Sequence, residues 1–373
     1  MSTVYKFGAA VPIQCHAWSG DGKSIAISHN SHTIEVHEKS SNGWHQTDLL
    51  EQHDLRVNDI DWAPNTNRIV TCSADRNAYV WVKGSDGKWK HTLVLLRINR
   101  AATCVRWSPQ ENKFAVGSGA RIINICYFDQ ENDWWVAKHI RKPLRSTITT
   151  VDWHPNNILL AAGSTDFKVR VFSTYIKEIE PKPAPTEWGA KMPFANLMAE
   201  FSNSPSGGGW IHSVGFSQDG TRVAWVGHDS SIAVADAPSG MVMMKLKLSL
   251  LPLLTLTWIS PTKILAAGHD CVPVIFLVDS SGKISLGSRL EEETLVDNSG
   301  AASAMNLFKN KCRVGTELLD TKLSSTHQNQ ICSMRIMHGT KGEAHYVSTS
   351  AGDGNLVIWD LDTLATKIKD LKI

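Results

Sequence analysis

The residues most suggestive of catalysis are His53, Ser73 and Asp75, because an acid, an imidazole and a hydroxyl together can activate a nucleophile for acyl transfer. Trp81 follows Asp75 by six residues and closes an apolar segment typical of a β-strand. An Asp and a His in the core of a sheet need hydrogen-bonding partners, since an unpaired buried polar group is costly. We therefore interpret His53, Ser73, Asp75 and Trp81 as a structural tetrad and predict no catalytic residue.

Two further groups of residues could in principle bind a ligand. The segment 20–24 ends like a phosphate-binding loop, but that motif requires Gly where this chain has Ala17, and no helix is predicted to follow. The 15 histidines include no His-Glu-x-x-His motif and no Cys/His zinc spacing. His228 and His269 each precede an Asp in an equivalent turn, which favours a role in turn formation. The sequence thus predicts no enzyme activity, no cofactor and no metal.

Composition excludes several classes of function. Lys plus Arg number 38 against 36 Asp plus Glu, so no net field attracts nucleic acid or a membrane surface. The most apolar window, 241–254, is interrupted by Lys245, Lys247 and Pro252, which argues against membrane insertion. The seven cysteines lack a Cys-x-x-Cys pair and segment 1–5 does not begin a signal peptide, so we expect a cytoplasmic protein with reduced thiols.

The residues above belong to a repeated pattern. The Asp-to-Trp spacing of Asp75 and Trp81 returns between Asp353 and Trp359, and a second signature, a strand that ends in a bulky apolar anchor, precedes each copy. Four of the six intervals between anchors are close to the roughly 40–45 residues of a four-stranded propeller blade, and the other two contain insertions of roughly 20 and 35 residues. The anchors are Trp18, Trp62, Trp107, Trp153, Phe216, Trp258 and Ile336.

Seven anchors predict an all-β protein, a seven-bladed WD-repeat β-propeller that occupies residues 1–373 as one domain. Residues 177–209 are predicted to be a loop insertion, with a possible helical turn at 195–198. Residues 287–326 are predicted to be an insertion with a short helix between blades six and seven. Because an open ring would leave an unpaired sheet edge, either segment 5–7, which we favour, or segment 366–369 should complete the last blade.

Basic residues cluster in the connections that lead from the outer strand of one blade to the inner strand of the next. Such connections share one face of a propeller, so three neighbouring blades should place arginines along one arc. Arginine is suited to paired recognition of carboxylates. Two interpretations remain open, a docking site for an acidic peptide or subunit and an ordinary solvated surface. The residues concerned are Arg56, Arg97, Arg100, Arg141, Lys142 and Arg145.

The insertion before the seventh blade contains a candidate helix at 301–309. Its apolar residues fall on one stripe at helical spacing, and so short a helix is marginal in water unless that stripe is buried. It either packs on the rim of the propeller or is presented to the groove of a partner. The residues proposed for this contact are Ala301, Ala304, Met305, Leu307 and Phe308.

Beyond the repeat pattern, the loop sequences resemble one family, the WD-repeat subunit of the actin-related protein 2/3 complex. The similarity runs almost from end to end, whereas other WD proteins share the blade pattern without these loops. The segments that carry it are 12–18, 53–64, 99–109, 140–147 and 367–373.

The resemblance implies a non-catalytic structural subunit of a cytoplasmic machine of the actin cytoskeleton that nucleates branched filaments. The implied partners are actin-related proteins 2 and 3, the other small subunits, and an actin filament contacted by the helix at 301–308. For Arg100 and Arg145, with Arg56 beside them, the resemblance suggests the acidic segment of a nucleation-promoting factor or of a neighbouring subunit. The alternative is a WD-repeat adaptor that presents substrates or partners to another intracellular complex.

Overall fold

The computed structural model of this protein describes residues 2–7, 11–203, 208–291 and 323–363. The strands in these residues form seven four-stranded antiparallel sheets. Each sheet is one blade of a propeller, and six of the seven are built from four strands consecutive in sequence. The predicted seven-bladed all-β propeller is confirmed.

The strands are numbered in chain order, and blades 1 to 6 start at β2, β6, β10, β14, β18 and β22. Blades 1 to 3 contain β2 (Cys15–Trp18), β3 (Ser24–Ser28), β4 (Thr33–Ser40), β5 (Gly43–Glu51), β6 (Val57–Trp62), β7 (Arg68–Ser73), β8 (Ala78–Lys83), β9 (Trp89–Val94), β10 (Ala102–Trp107), β11 (Lys113–Ser118), β12 (Ile123–Asp129) and β13 (Trp134–Ile140). Blades 4 to 6 contain β14 (Ile148–Trp153), β15 (Leu159–Ser164), β16 (Lys168–Ser173), β17 (Leu197–Ser202), β18 (Ile211–Phe216), β19 (Arg222–Gly227), β20 (Ser231–Asp236), β21 (Val242–Lys247), β22 (Leu253–Ser260), β23 (Lys263–Gly268), β24 (Val274–Val278) and β25 (Ile284–Arg289). Blade 7 contains β26 (Ile331–Gly339), β27 (Ala344–Ala351), β28 (Asn355–Asp360) and β1 (Ser2–Lys6).

The second strand of each blade shows why these segments fold as they do. Strands β11 and β15 are buried at every position, because neighbouring blades cover both faces of the sheet. Their sequences are accordingly continuous short apolar runs and do not alternate with polar residues. Within the described residues an apolar cluster fills each interface between blades, so most of the core lies between sheets.

The ring is closed by the N-terminal strand. Strand β1 pairs antiparallel with β28, in a register that runs from Ser2 opposite Trp359 to Lys6 opposite Asn355. Phe7, directly after β1, is buried at 4% exposure in the interface between blades 7 and 1. The prediction that segment 5–7 completes the last blade is confirmed for residues 5 and 6, and the competing segment 366–369 lies outside the described residues.

The predicted loop insertion at 177–209 requires a correction. Residues 197–202, which we expected to be a loop after a possible helical turn, form β17, the outer strand of blade 4. Ala199 and Phe201 are buried while Glu200 between them is exposed, a period of two that marks a half-buried strand. The remaining loop therefore precedes β17, and a shorter connection follows it.

A buried ion pair holds the first part of that loop against blade 3. The Lys113 ammonium group lies 2.7 Å from a Glu180 carboxylate oxygen, and both side chains are almost completely buried. Lys113 also donates to the carbonyl of Thr174 at 3.0 Å, and Asn157 donates to Glu180 at 2.7 Å. Burial lowers the pKa of Lys113 to about 8, even though Glu180 acts in the opposite direction.

Charged side chains on or next to the inner strands link different blades. Asp59 of blade 2 accepts hydrogen bonds from Arg106 of blade 3 at 2.5 Å and from Arg335 of blade 7 at 3.1 Å. Lys341 of blade 7 pairs with Asp152 of blade 4. The Lys341–Asp152 pair joins nearly opposite sides of the ring, and the Asp59 contacts join blade 2 to blades 3 and 7, so the blades are linked into one domain.

Candidate functional site

The triad-like cluster is a structural network inside blade 2. His53 donates from Nδ1 to Asp75 Oδ2 at 2.7 Å, and its Nε2 accepts from the Thr71 hydroxyl at 2.9 Å. Trp81 Nε1 donates to the same hydroxyl at 3.1 Å. Burial acts to raise the pKa of Asp75, but hydrogen bonds from His53 and from backbone amides hold it below its ordinary value. The side chains of His53, Thr71, Asp75 and Trp81 thus form a connected hydrogen-bond network that stabilises the blade.

The prediction that Ser73 is the fourth member of this network is wrong, because Thr71 occupies that place. Ser73 instead donates to the carbonyl of Leu55 at 2.8 Å and accepts from the Asp75 amide at 3.1 Å. Residues 71 and 73 lie on the same side of β7. Which of them contacts His53 therefore depends only on how far the His53 side chain reaches into the blade. Blade 7 repeats the arrangement with His327, Asp353, Thr349 and Trp359, a second copy that the sequence analysis did not assign.

The other candidate ligand-binding residues lie in turns. Segment 20–24 leads from β2 into β3, and Asp21 accepts from the Ser19 hydroxyl at 2.7 Å and from the Lys23 amide at 3.0 Å, as in a hairpin turn. His228 contacts His212 at 3.0 Å. Among the described residues, no group of His, Cys, Asp or Glu side chains has an arrangement that could hold a metal ion. No helix in the described part of the chain is long and apolar enough to cross a membrane.

All six predicted basic residues are exposed on one face of the propeller. Neighbouring strands of a blade run antiparallel. One face of the propeller therefore carries the start of the inner strand, the end of the second strand, the start of the third strand and the end of the outer strand. The connections from outer to inner strands and the turns between second and third strands therefore share this face. We call it the arginine face, defined by Arg56, Arg97, Arg100, Arg121, Arg141, Lys142 and Arg145.

A cleft of about 690 Å³ lies in the arginine face over blade 3. Its described lining contains four arginines and no carboxylate, and Ile98 and Ile122 supply its apolar surface. Three connections form it, those at 97–100, 119–122 and 141. The arginines that line it are Arg97, Arg100, Arg121 and Arg141.

The backbone and one histidine position these arginines. Arg97 and Arg121 have positive φ angles of 52° and 60°, a conformation that costs a non-glycine residue energy and marks tight turns beside the cleft. His139 donates from Nε2 to the Leu96 carbonyl at 3.0 Å, which leaves Nδ1 to accept from Arg141 at 3.0 Å. Burial lowers the pKa of His139, with Arg141 and Arg97 adding to the effect, so the imidazole is neutral and can accept. Convergent guanidinium groups of this kind suit a ligand with several carboxylates.

The cleft divides the predicted residues into two sets. Arg97, Arg100 and Arg141 line it, whereas Arg56, Lys142 and Arg145 lie elsewhere on the arginine face. Sequence reasoning missed Arg121, since it considered only the connections between blades and not the turn between the second and third strands. The signal was present, because that turn in blade 3 reads Gly-Ala-Arg.

The insertion before blade 7 leaves and re-enters the propeller on this same face. Its predicted helix, with Ala301 to Phe308, lies outside the described residues, and positions 287–289 belong to β25. The two ends are joined, since the Glu291 carboxylate accepts from the Thr326 amide at 3.0 Å. Leu323 and Gln328 exchange two hydrogen bonds of 2.8 and 3.2 Å beside it. We call these contacts the insertion clasp.

Comparison with known proteins agrees with this architecture. The family described as "WD domain, G-beta repeat" matches residues 44–82 and 138–173. The actin-related protein 2/3 complex subunit 1A-A of Xenopus laevis is 53% identical over 97% of each chain. Subunit 1 of Schizosaccharomyces pombe is 43% identical, over 93% of this chain and 96% of the relative.

Subunit 1B of Arabidopsis thaliana is 38% identical over 98% of each chain. The similarity thus spans loops as well as blades in proteins of an animal, a yeast and a plant. Together with the seven-bladed ring, these relationships show that the chain belongs to the family of subunit 1 of the actin-related protein 2/3 complex.

Proposed function

We propose that this chain is a non-catalytic, cytoplasmic subunit that supports nucleation of branched actin filaments, and that its arginine-lined cleft binds an acidic segment. The acidic segment belongs to a nucleation-promoting factor or to a neighbouring subunit. The implied neighbours are actin-related proteins 2 and 3 and the remaining small subunits. The observation that carries the proposal is the convergence of Arg97, Arg100, Arg121 and Arg141 on one cleft whose described lining lacks a carboxylate.

The chemistry of the cleft favours a flexible acidic peptide over a single small anion. Exposed ion pairs contribute only about 0.2–1 kcal/mol each, so useful affinity needs several carboxylates bound together. The volume of about 690 Å³ accommodates several side chains, and the apolar surface of Ile98 and Ile122 can contact the stems between them. Binding of this kind weakens as salt screens the charges.

Reversing two charges inside the cleft tests this proposal. We expect Arg100→Glu with Arg121→Glu to weaken binding of an activator's acidic peptide to the assembled complex by about tenfold or more, since two attractions become repulsions. Fluorescence anisotropy with a labelled peptide, titrated at low and at 0.15 M salt, measures the change.

The matched control is Arg56→Glu with Arg145→Glu, which makes the same change in net charge on the same face but outside the cleft. A clearly smaller effect is expected from this pair, because it alters only the long-range field. Equal losses from both pairs would mean that the face attracts acidic peptides as a whole. If neither pair affects assembly or peptide binding, the arginine face is an ordinary solvated surface.

We further propose that the insertion at 301–308 contacts the side of an actin filament. The support is the stripe of apolar residues at helical spacing in its sequence, together with the insertion clasp, which holds both ends of the insertion at one point of the arginine face. The blades are complete on either side of the insertion, so the ring does not depend on it.

Met305→Asp with Phe308→Asp is accordingly expected to leave folding and complex assembly intact and to weaken filament attachment by about 1–3 kcal/mol, the loss of two apolar anchors. Co-sedimentation of the assembled variant complex with filaments measures this. A complex that binds and branches normally would assign the stripe to the propeller rim, and a chain that fails to fold would make it part of the core.

A further inference from the structure

The third blade contains one tryptophan more than its structure requires. In blades 1 to 3 a tryptophan of the outer strand packs against the tryptophan that ends the inner strand. The three outer-strand residues occupy equivalent positions in the register of their sheets. The pairs are Trp44 with Trp18 at 5.5 Å, Trp89 with Trp62 at 5.7 Å and Trp135 with Trp107 at 5.9 Å between ring centroids.

Trp134 is not a member of any of these tryptophan pairs. It directly precedes Trp135 at the start of β13, so its side chain points to the other side of the strand, and 56% of it is exposed. The equivalent positions in blades 1 and 2 hold Gly43 and Lys88, residues that need no burial. The repeat therefore accounts for Trp135 and leaves Trp134 without a structural role.

The hairpin around Trp134 is acidic and ordered. Asp129, Glu131 and Asp133 lie in or next to its turn, and segment 127–137 contains no Lys or Arg. Asn132 donates to one Asp129 oxygen at 2.8 Å and the Glu131 amide donates to the other at 3.1 Å. At the base of the hairpin Trp135 packs against Phe128, with 5.5 Å between ring centroids. A preorganised tip loses little conformational entropy when a partner binds it.

We propose that this acidic tryptophan hairpin, residues 129–134, docks on another subunit of the complex by inserting Trp134 into an apolar pocket rimmed by Lys or Arg. Tryptophan is enriched among the residues that dominate binding energy, and three nearby carboxylates select a basic rim. The hairpin joins the third and outer strands, so it lies on the face opposite the arginine face. Both surfaces can thus be occupied at once, and this docking does not depend on the cleft.

Solvent protection of Trp134 is the direct test. Hydroxyl-radical oxidation followed by mass spectrometry is measured on the free chain and on the complete complex. Oxidation of Trp134 should fall by about tenfold or more on assembly, since dominant contact residues are fully desolvated. Equal oxidation in the two samples would overturn the proposal. Concentration-dependent protection in the free chain alone would also overturn it, because the occupant would then be a second copy.

Variants provide the second readout. Trp134→Ser should keep the thermal midpoint of the wild-type chain but reduce recovery of one subunit in the purified complex. Glu131→Lys with Asp133→Lys should reproduce the loss, and raised salt should weaken the wild-type contact in the same direction. The control is Leu286→Ser, which removes a similarly exposed apolar side chain from blade 6. If Trp134→Ser assembles as completely as this control, the hairpin does not dock.

Discussion

Replacing Glu180 by alanine is expected to lower the free energy of unfolding by about 3–5 kcal/mol, because it leaves the Lys113 ammonium group buried without its counter-charge. The two groups are 2.7 Å apart and almost fully buried. Glu180 also accepts hydrogen bonds from Asn157 and from the Ile176 amide, and these donors lose their partner as well. Urea unfolding of the purified chain measures the change. A loss below about 1 kcal/mol, the range of exposed pairs, would show that solvent reaches the site.

The matched control is Lys113→Met with Glu180→Leu, which replaces both charges by apolar side chains. It should recover much of the loss, since buried ion pairs are often no more stabilising than well-packed hydrophobic residues. The pKa of Lys113 is lowered to about 8 in the folded chain, against an ordinary value of 10.5. Between these values the unfolded chain binds more protons, so the wild-type protein should gain stability over the double variant as pH rises from about 8 to 10.5.

Removing residues 1–7 is expected to have a comparable effect. The deletion removes strand β1 from β28 and empties the site of Phe7, and replacing a single buried phenylalanine by alanine typically costs about 3–5 kcal/mol. The exposed edge of β28 should also promote association between chains. The thermal midpoint and the sedimentation profile of the shortened chain measure the two consequences.

Deletion of residues 366–373, which removes segment 366–369, the other segment considered for the same edge, is the control for this experiment. It should change the midpoint little, because β1 already occupies the edge of β28. Opposite results, a stable chain without residues 1–7 and an unstable one without 366–373, would contradict closure by the N-terminus.

The blade count could be predicted from sequence because each blade repeats local signals, an apolar strand and a bulky anchor. The position of β17 was not evident, because residues 197–201 are all apolar except Glu200 and the preceding prolines suggested a loop throughout. Thr71 and Ser73 could not be separated, because both lie on the same side of one strand. The pairing of Lys113 with Glu180 could not be predicted either, as no local pattern links groups 67 residues apart.

Only part of the candidate site could be predicted from sequence. The connections between blades identify the face, so Arg97, Arg100 and Arg141 were found, but their convergence depends on turn conformations that sequence does not specify. Arg121, which itself has a positive φ angle, lines the same cleft from the turn between the second and third strands of blade 3. Arg56 and Arg145 lie outside the cleft, so their part in binding an acidic segment stays a prediction, which the charge reversal of this pair tests.

Closure of the ring by β1 has a consequence for how the protein is made. Of the described strands β1 is synthesised first and β28 last, and at roughly 5–20 residues per second β1 waits about twenty seconds to over a minute for its partner. During translation β1 has no partner, and the apolar faces of the blades at the gap in the ring are exposed to incorrect contacts. A premature stop anywhere before β28 leaves β1 without a partner and uncovers the apolar faces of the blades at the gap, so late nonsense mutations should also prevent a stable propeller.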